Sequence, residues 1–327
     1  MFGTFSNGVN AQDIHFSQFE MAPMNYNPAL AGQFDGDYRF ILNQRTQWKS
    51  VTTPYSTLGG SADARNFMGV EGLGTGISIY KDLAGDSHFS TLQMNAAGSF
   101  LVPISSDSLQ TISGGLHLGF TNKKIDYSGL NYDVNWNGVA YDPNFINPES
   151  FDTPSQNSLN VNLGLAYFHK IDERKEVTAG ISLFNLNHPK QSYFSNDDVR
   201  LNTRVNIHAN ALLKINDEYD AMPSILIQRQ GKLHEFILGG NVRKIFLNSA
   251  GLFRTVFGGF YYRTKDAGFL MAGMDYDNWR IGISYDINTS NLRPASNGRG
   301  GFEFGIVYII SKVKPSTIKY KYCPDYL

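Results

Sequence analysis

Leu159-Asn160-Val161-Asn162-Leu163-Gly164-Leu165-Ala166-Tyr167 is the stretch that decides the fold. Successive side chains of an extended strand point to opposite faces, so Leu159, Val161, Leu163, Leu165 and Tyr167 share one face. Asn160, Asn162, Gly164 and Ala166 share the other. A strand between lipid and a hydrated lumen needs this pattern. A soluble β-sandwich also alternates, but its solvent face would be charged, and here the second face is small or amide-bearing.

The pattern recurs along the chain. Val205, Ile207, Ala209, Ala211 and Leu213 oppose Arg204, Asn206, His208 and Asn210. Trp279, Ile281, Ile283 and Tyr285 oppose Arg280, Gly282, Ser284 and Asp286, while Phe302, Phe304, Ile306, Tyr308 and Ile310 make the outer face of a last strand. Aromatic residues near the ends of these stripes suit interfacial girdles. Segmenting the whole chain predicts a transmembrane antiparallel β-barrel of about 14 strands. Their starts fall near Asp37, Tyr55, Gly72, Ser87, Leu109, Ser158, Glu176, Arg200, Tyr219, Leu233, Thr255, Ala267, Trp279 and Gly301. An even number places both termini on one side. If the first strand leaves the periplasm, Asp172-Glu173-Arg174, Asn216-Asp217-Glu218 and Asp277-Asn278 are short periplasmic turns. The two longest loops, Lys123 to Asn157 and Asn288 to Gly300, then point outward.

Composition agrees. A 327-residue chain fits one barrel domain, and 42% apolar residues with only 17% charged ones suit neither a helical membrane protein nor a well-charged soluble one. Mean hydropathy is -0.28, and no run reaches the roughly 18 apolar residues of a transmembrane helix, which leaves a closed barrel as the way to span a bilayer. With a net charge of -1 and no basic stripe, nucleic acid is excluded as a partner. The single cysteine, Cys323, can form no internal disulfide. Val9-Asn10-Ala11 before Gln12 resembles a signal-peptide cleavage point, while the preceding residues lack its charged and apolar regions. The expectation is a truncated leader over residues 1–11, and export. Residues 12–36 then form a plug or strap, 37–310 the barrel, and 311–327 a periplasmic tail.

No catalytic, metal or cofactor constellation emerges, and an enzyme is not expected. The seven histidines are scattered without ligand spacing; His117 and His208 fall on lumen faces, where a polar ring needs no special purpose. The run Gly72-Leu73-Gly74-Thr75-Gly76 lacks the strand-turn-helix setting of a nucleotide site. Glu303, Asp286, Asp275, Arg280 and Arg204 are placed in the lumen, where a structural ion-pair network outweighs catalysis. The long outward loop carries Tyr127, Tyr132, Trp136, Tyr141, Phe145 and Phe151, and reads equally as partner anchors or as a self-packed lid.

Two stretches carry a family resemblance. Asp13-Ile14-His15-Phe16-Ser17-Gln18-Phe19 is followed by Pro23 and Asn27-Pro28-Ala29-Leu30-Ala31-Gly32. Near the other end stand Gly282 to Leu292, Pro294-Ala295-Ser296, Gly300-Gly301-Phe302-Glu303-Phe304 and Cys323-Pro324. Together they resemble the PorP/SprF family of type IX secretion outer-membrane proteins. The resemblance implies an outer-membrane barrel that supports export and surface anchoring of a large adhesin through its C-terminal domain. Its implied partners are type IX secretion components, a periplasmic peptidoglycan-binding lipoprotein and membrane lipids. Loop position nominates Tyr132, Trp136, Tyr141, Asn288, Leu292 and Arg299 as partner contacts, and Phe16 to Gly32 as the plug. The rival expectation is a FadL-like channel for small hydrophobic molecules, which would need an apolar path through the bore.

Overall fold

The computed structural model describes residues 13–47, 53–85, 89–126, 136, 138–140, 154–193, 199–249, 252–290 and 298–311. Fourteen antiparallel strands close into one barrel. They are β1 Tyr38–Gln47, β2 Tyr55–Ala64, β3 Leu73–Ala84, β4 Phe89–Pro103, β5 Gln110–Lys124, β6 Ser155–Asp172 and β7 Lys175–Phe184. The second half comprises β8 Arg204–Lys214, β9 Tyr219–Gln230, β10 Leu233–Ser249, β11 Leu252–Arg263, β12 Ala267–Tyr276, β13 Trp279–Asn288 and β14 Arg299–Ile310. Each strand pairs with its neighbours in sequence, and β1 closes on β14 from Tyr38 opposite Ile310 to Thr46 opposite Phe302. Closure leaves no open edge, as a bilayer requires.

The face assignment follows the alternation. Leu163 and Leu165 are 45% and 56% exposed, whereas Asn162 between Val161 and Leu163 is 3% exposed. The outer face is thus an apolar band. Register places Phe40, Tyr308, Trp279 and Tyr276 side by side along one border of it, with Trp279 and Tyr308 ring centroids 4.3 Å apart. Among the described residues no helix is long and apolar enough to cross a membrane.

The connections separate by end. Residues 65–72, 104–109, 173–174, 215–218, 250–251 and 277–278 join strands at one end. The longest connections, residues 125–154, 185–203 and 289–298, lie at the other. Short turns mark the periplasmic end and long loops the outer end. One expectation is corrected: the second-longest loop is 185–203, not the one before β14. The sequence reading started β8 at Arg200, but residues 199–201 pair back across their own loop. Lys190 bridges Arg200, Gln191 N donates to Val199 O (2.8 Å), and Leu201 N donates to Pro189 O (2.9 Å). The ladder of β8 therefore begins only at Arg204.

Inside the barrel lies the segment that precedes β1. Single helical turns at Phe19–Met21, Pro23–Tyr26 and Pro28–Leu30 fold it into a compact plug. Asn27 starts the last turn by accepting a hydrogen bond from Ala29 N on its own side-chain oxygen (2.9 Å), with proline at the first helical position.

Candidate functional site

With no catalytic cluster to build on, the functional geometry is that of the bore: how it is filled and where it stays open. Phe16, Met21, Met24, Asn27, Ala29 and Ala31 are each 2% exposed or less. The wall holds this segment chiefly by its main chain. Ser99 Oγ donates to Ala31 O (2.6 Å), Ser113 Oγ to Ala29 O (2.8 Å), Asn206 Nδ2 to Tyr26 O (2.8 Å) and Arg204 Nη2 to Asn25 O (2.9 Å). In the reverse direction, Ser17 N and Gln18 N donate to the two oxygens of Glu303 (2.7 and 2.9 Å), and Gly32 N to Asp63 Oδ2 (2.7 Å). Buried backbone polar groups that a short irregular segment cannot pair internally are thereby satisfied. Asn27 adds Nδ2 bonds to Leu165 O (3.0 Å) and His208 Nε2 (2.9 Å).

Glycines let the wall come this close. A Cβ on Gly115 would lie 2.5 Å from Pro28 C and 2.6 Å from Ala29 Cα, and one on Gly74 would collide with Ala31 O. Facing Gly115 across the β5–β6 ladder, Gly164 abuts Asn27 and Pro28 in the same way. Apolar contacts complete the seat: Phe19 lies edge-on to Tyr26 (5.7 Å) and Tyr261 (6.4 Å), and Met21 joins a cluster with Phe257, Phe269, Met271 and Val307.

Among the described residues most of the lumen charges fall into three groups. Toward the outer end, Asp286 Oδ2 meets Arg263 Nη2 (2.6 Å) and Arg45 Nη2 (3.1 Å), Arg263 also binds Asp266 (2.6 Å), and Arg45 lies 3.8 Å from Glu303. Toward the periplasm, Asp220 binds Arg174 and Arg243 (2.6 Å each), and Asp275 binds Arg280 (2.6 Å). Arg39 pairs with Asp63 (2.6 Å). The expected ion-pair network is present, but Glu303 and Asp286 stand in a different group from Asp275 and Arg280, and Arg204 faces Asp13 (3.8 Å). His117 and His208 are buried and bonded to Asn162 and Asn27 (2.9 Å each), as structural rings would be. Among the described residues no cluster could hold a metal ion.

Among the described residues the larger cavities lie on one side of the plug. On the periplasmic side of the plug a vestibule of about 630 Å³ reaches the turn residues Glu173, Arg174, Asp277 and Asn278. An adjoining pocket of about 250 Å³ shares Glu20, Arg39, Glu176, Leu212, Arg243 and Arg280 with it. Toward the outer end the cavities shrink to about 20 Å³ beside Asp13 and His117 and about 10 Å³ beside Gln228 and Glu235. Glu20 stands at the plug's lower face, where the hydroxyls of Ser224 and Tyr261 both donate to its Oε1, and burial holds its carboxyl above the usual carboxylate range.

Of the loop residues nominated as contacts, Trp136 is exposed. Arg299 is exposed at the start of β14. Asn288 is buried, and its Oδ1 accepts bonds from Ser290 N (2.8 Å) and Oγ (2.7 Å), which shapes the loop's first turn. Tyr132, Tyr141 and Leu292 lie outside the described residues, as do residues 1–11 and the tail beyond Ser311. The sequence reading missed Arg45, Arg263, Arg243 and Asp220 as a charge framework. Their only signal was parity: each falls on the small or polar face of its strand.

A family model described as type IX secretion system membrane protein PorP/SprF matches residues 8–308. The chain belongs to the PorP/SprF family. This PorP/SprF protein is therefore an outer-membrane barrel of a type IX secretion system, by family and by fold. No curated protein matches the sequence. Among solved structures, the toluene transporter TbuX of Ralstonia pickettii superposes with a TM-score of 0.51 at 12% identity, covering 88% of this chain and 92% of that one. TodX, a toluene transporter of Pseudomonas putida, gives 0.50 at 10% identity over 91% and 95%. At such identity the likeness is one of fold.

Proposed function

We propose that this PorP/SprF protein is a non-enzymatic component of type IX secretion that supports export of a large adhesin and anchors it at the cell surface through the adhesin's C-terminal domain. In this reading the outer loops hold the cargo, and the periplasmic end meets a peptidoglycan-binding lipoprotein. The observation that carries the proposal is the seated plug: a bore filled by a hydrogen-bonded main chain serves as a rigid post and needs no solute path. Trp136 and Arg299 are the described loop residues best placed to touch cargo, because exposed aromatic and arginine side chains are the usual anchors of protein interfaces. Tyr132, Tyr141 and Leu292 are proposed beside them from loop position.

The rival is a channel for small hydrophobic molecules, which the fold likeness to the toluene transporters favours. Its weakness lies in the chemistry of the cavity. Arg39, Arg174, Arg243, Arg280, Glu20 and Glu176 line the free space, whereas sites for hydrophobic ligands are predominantly apolar. Affinity purification of the tagged protein from its native outer membrane in mild detergent, followed by mass spectrometry, tests the proposal. Recovery of a large adhesin with secretion components is the expected result. The barrel alone, with solute uptake in reconstituted vesicles, would overturn it.

A further inference from the structure

The vestibule below the plug is blind, opens only toward the periplasm among the described residues, and is unevenly charged. Each of its arginines is matched: Arg39 to Asp63, Arg174 and Arg243 to Asp220, and Arg280 to Asp275. Three glutamates are not. Glu20 on the plug, Glu173 in the β6–β7 turn and Glu176 on β7 line the cavity, and none has a cation within ion-pairing distance among the described residues. Both hydroxyl donors to Glu20 engage the same oxygen, Oε1. Phe34, Val307 and Ile309 supply an apolar wall.

This arrangement selects among occupants. The three carboxylates do not converge as metal ligands would, so a single divalent ion is a poor match. They are spread from the plug to the mouth, which suits positive charges carried at intervals along an extended chain. Lysine and arginine bury aliphatic stems while keeping the charge at a polar partner, which a cavity with one apolar and one acidic wall accommodates. A volume of about 630 Å³ takes the end or loop tip of a chain, not a folded domain. Burial holds the carboxyl of Glu20 up although Arg280 pulls it down, and an arriving ammonium would lower it further.

We infer that the vestibule is a docking site for a lysine- or arginine-bearing extended segment of a periplasmic protein, read by Glu20, Glu173 and Glu176. The inference rests on the anchoring role proposed above and specifies where its periplasmic partner enters. The test uses the full chain in a zwitterionic detergent with a fluorescent hexalysine peptide as probe, followed by anisotropy. Binding is expected for the wild type and at least tenfold weaker for the E173Q/E176Q pair, with a further loss on adding E20Q. A hexaglutamate peptide should not bind. Heat-modified gel mobility confirms that each variant is a folded barrel, and E173Q/E176Q leaves the plug untouched should E20Q disturb it. Affinity that is unchanged in the folded double variant would overturn the inference. Displacement of the peptide by equimolar spermidine would also overturn it, by pointing to a small polyamine. Adhesin retention on wild-type cells separates the two readings: adhesin retained by cells whose wild-type barrel binds no hexalysine sinks the docking site alone, whereas no adhesin on wild-type cells sinks the anchoring role.

Discussion

Replacing Gly115 by alanine adds one methyl group where the wall meets the plug's main chain. The new carbon would sit 2.5 Å from Pro28 C and 2.6 Å from Ala29 Cα, both plug backbone atoms that no rotamer change can move. Overpacking of a filled interior usually costs about 1–3 kcal/mol. Because the collision is with main chain and is shared by two residues, the upper end, about 3 kcal/mol, is expected. At about 1.4 kcal/mol per decade, this moves the balance between seated and displaced plug roughly a hundredfold. The assay is conductance in planar bilayers beside the urea midpoint of the folded band on gels. Gly115→Ala should give open-channel events that the wild type lacks, together with a lower midpoint. Gly98→Ala is the control, since a Cβ there meets nothing within 4 Å and should change neither readout. A Gly115→Ala barrel as closed and as stable as the wild type would refute the argument that the plug is fixed by steric fit to the wall.

Three further outcomes follow from the same geometry. Asp286→Ala strips Arg45 and Arg263 of a shared carboxylate while both stay buried, and should cost about 3–5 kcal/mol in denaturant unfolding; a loss below 1 kcal/mol would mean that water reaches the guanidiniums. Asn27→Ala removes the bonds to Leu165 O, His208 Nε2 and Ala29 N, and an expected loss of about 2–3 kcal/mol should appear together with faster protease cleavage within residues 13–36. Leu163→Arg places a charge on the outer band near the middle of β6, and should destabilise the barrel in bilayers by about 2–4 kcal/mol; if it does not, the band does not face lipid at that level.

The barrel was legible because its signal is local. Alternation along Leu159–Tyr167 or Trp279–Asp286 is a property of neighbouring residues, and the expected starts of β2, β9, β10, β12 and β13 coincide with the observed ones. Where the expectation slipped, at β8, polar residues of the 185–203 loop pair with one another and mimic the approach to a strand. The contents of the bore were less legible for a physical reason. Asn206, Ser113 and Ser99 hold the plug by binding its carbonyls, and serine or asparagine looks the same on a wall that meets water. Gly115 and Gly164, paired across two strands on the inner face, mark where something solid lies against that wall. The charge balance of the vestibule depends on distances between strands far apart in sequence, such as Arg174 to Asp220, which no local pattern encodes.

Glu303 has a consequence for how the molecule is made. It lies on β14, the strand that closes the barrel against β1, and it accepts the N–H groups of both Ser17 and Gln18, which belong to the earliest described part of the chain. The plug and the closing strand therefore meet in one carboxylate at the seam. A cylinder that shut with an empty bore would leave the Glu303 carboxylate without the N–H groups of Ser17 and Gln18, and the seam would close on a buried acid short of two donors. Seating of the plug and closure of the seam therefore stabilise one another through a single carboxylate, whichever comes first.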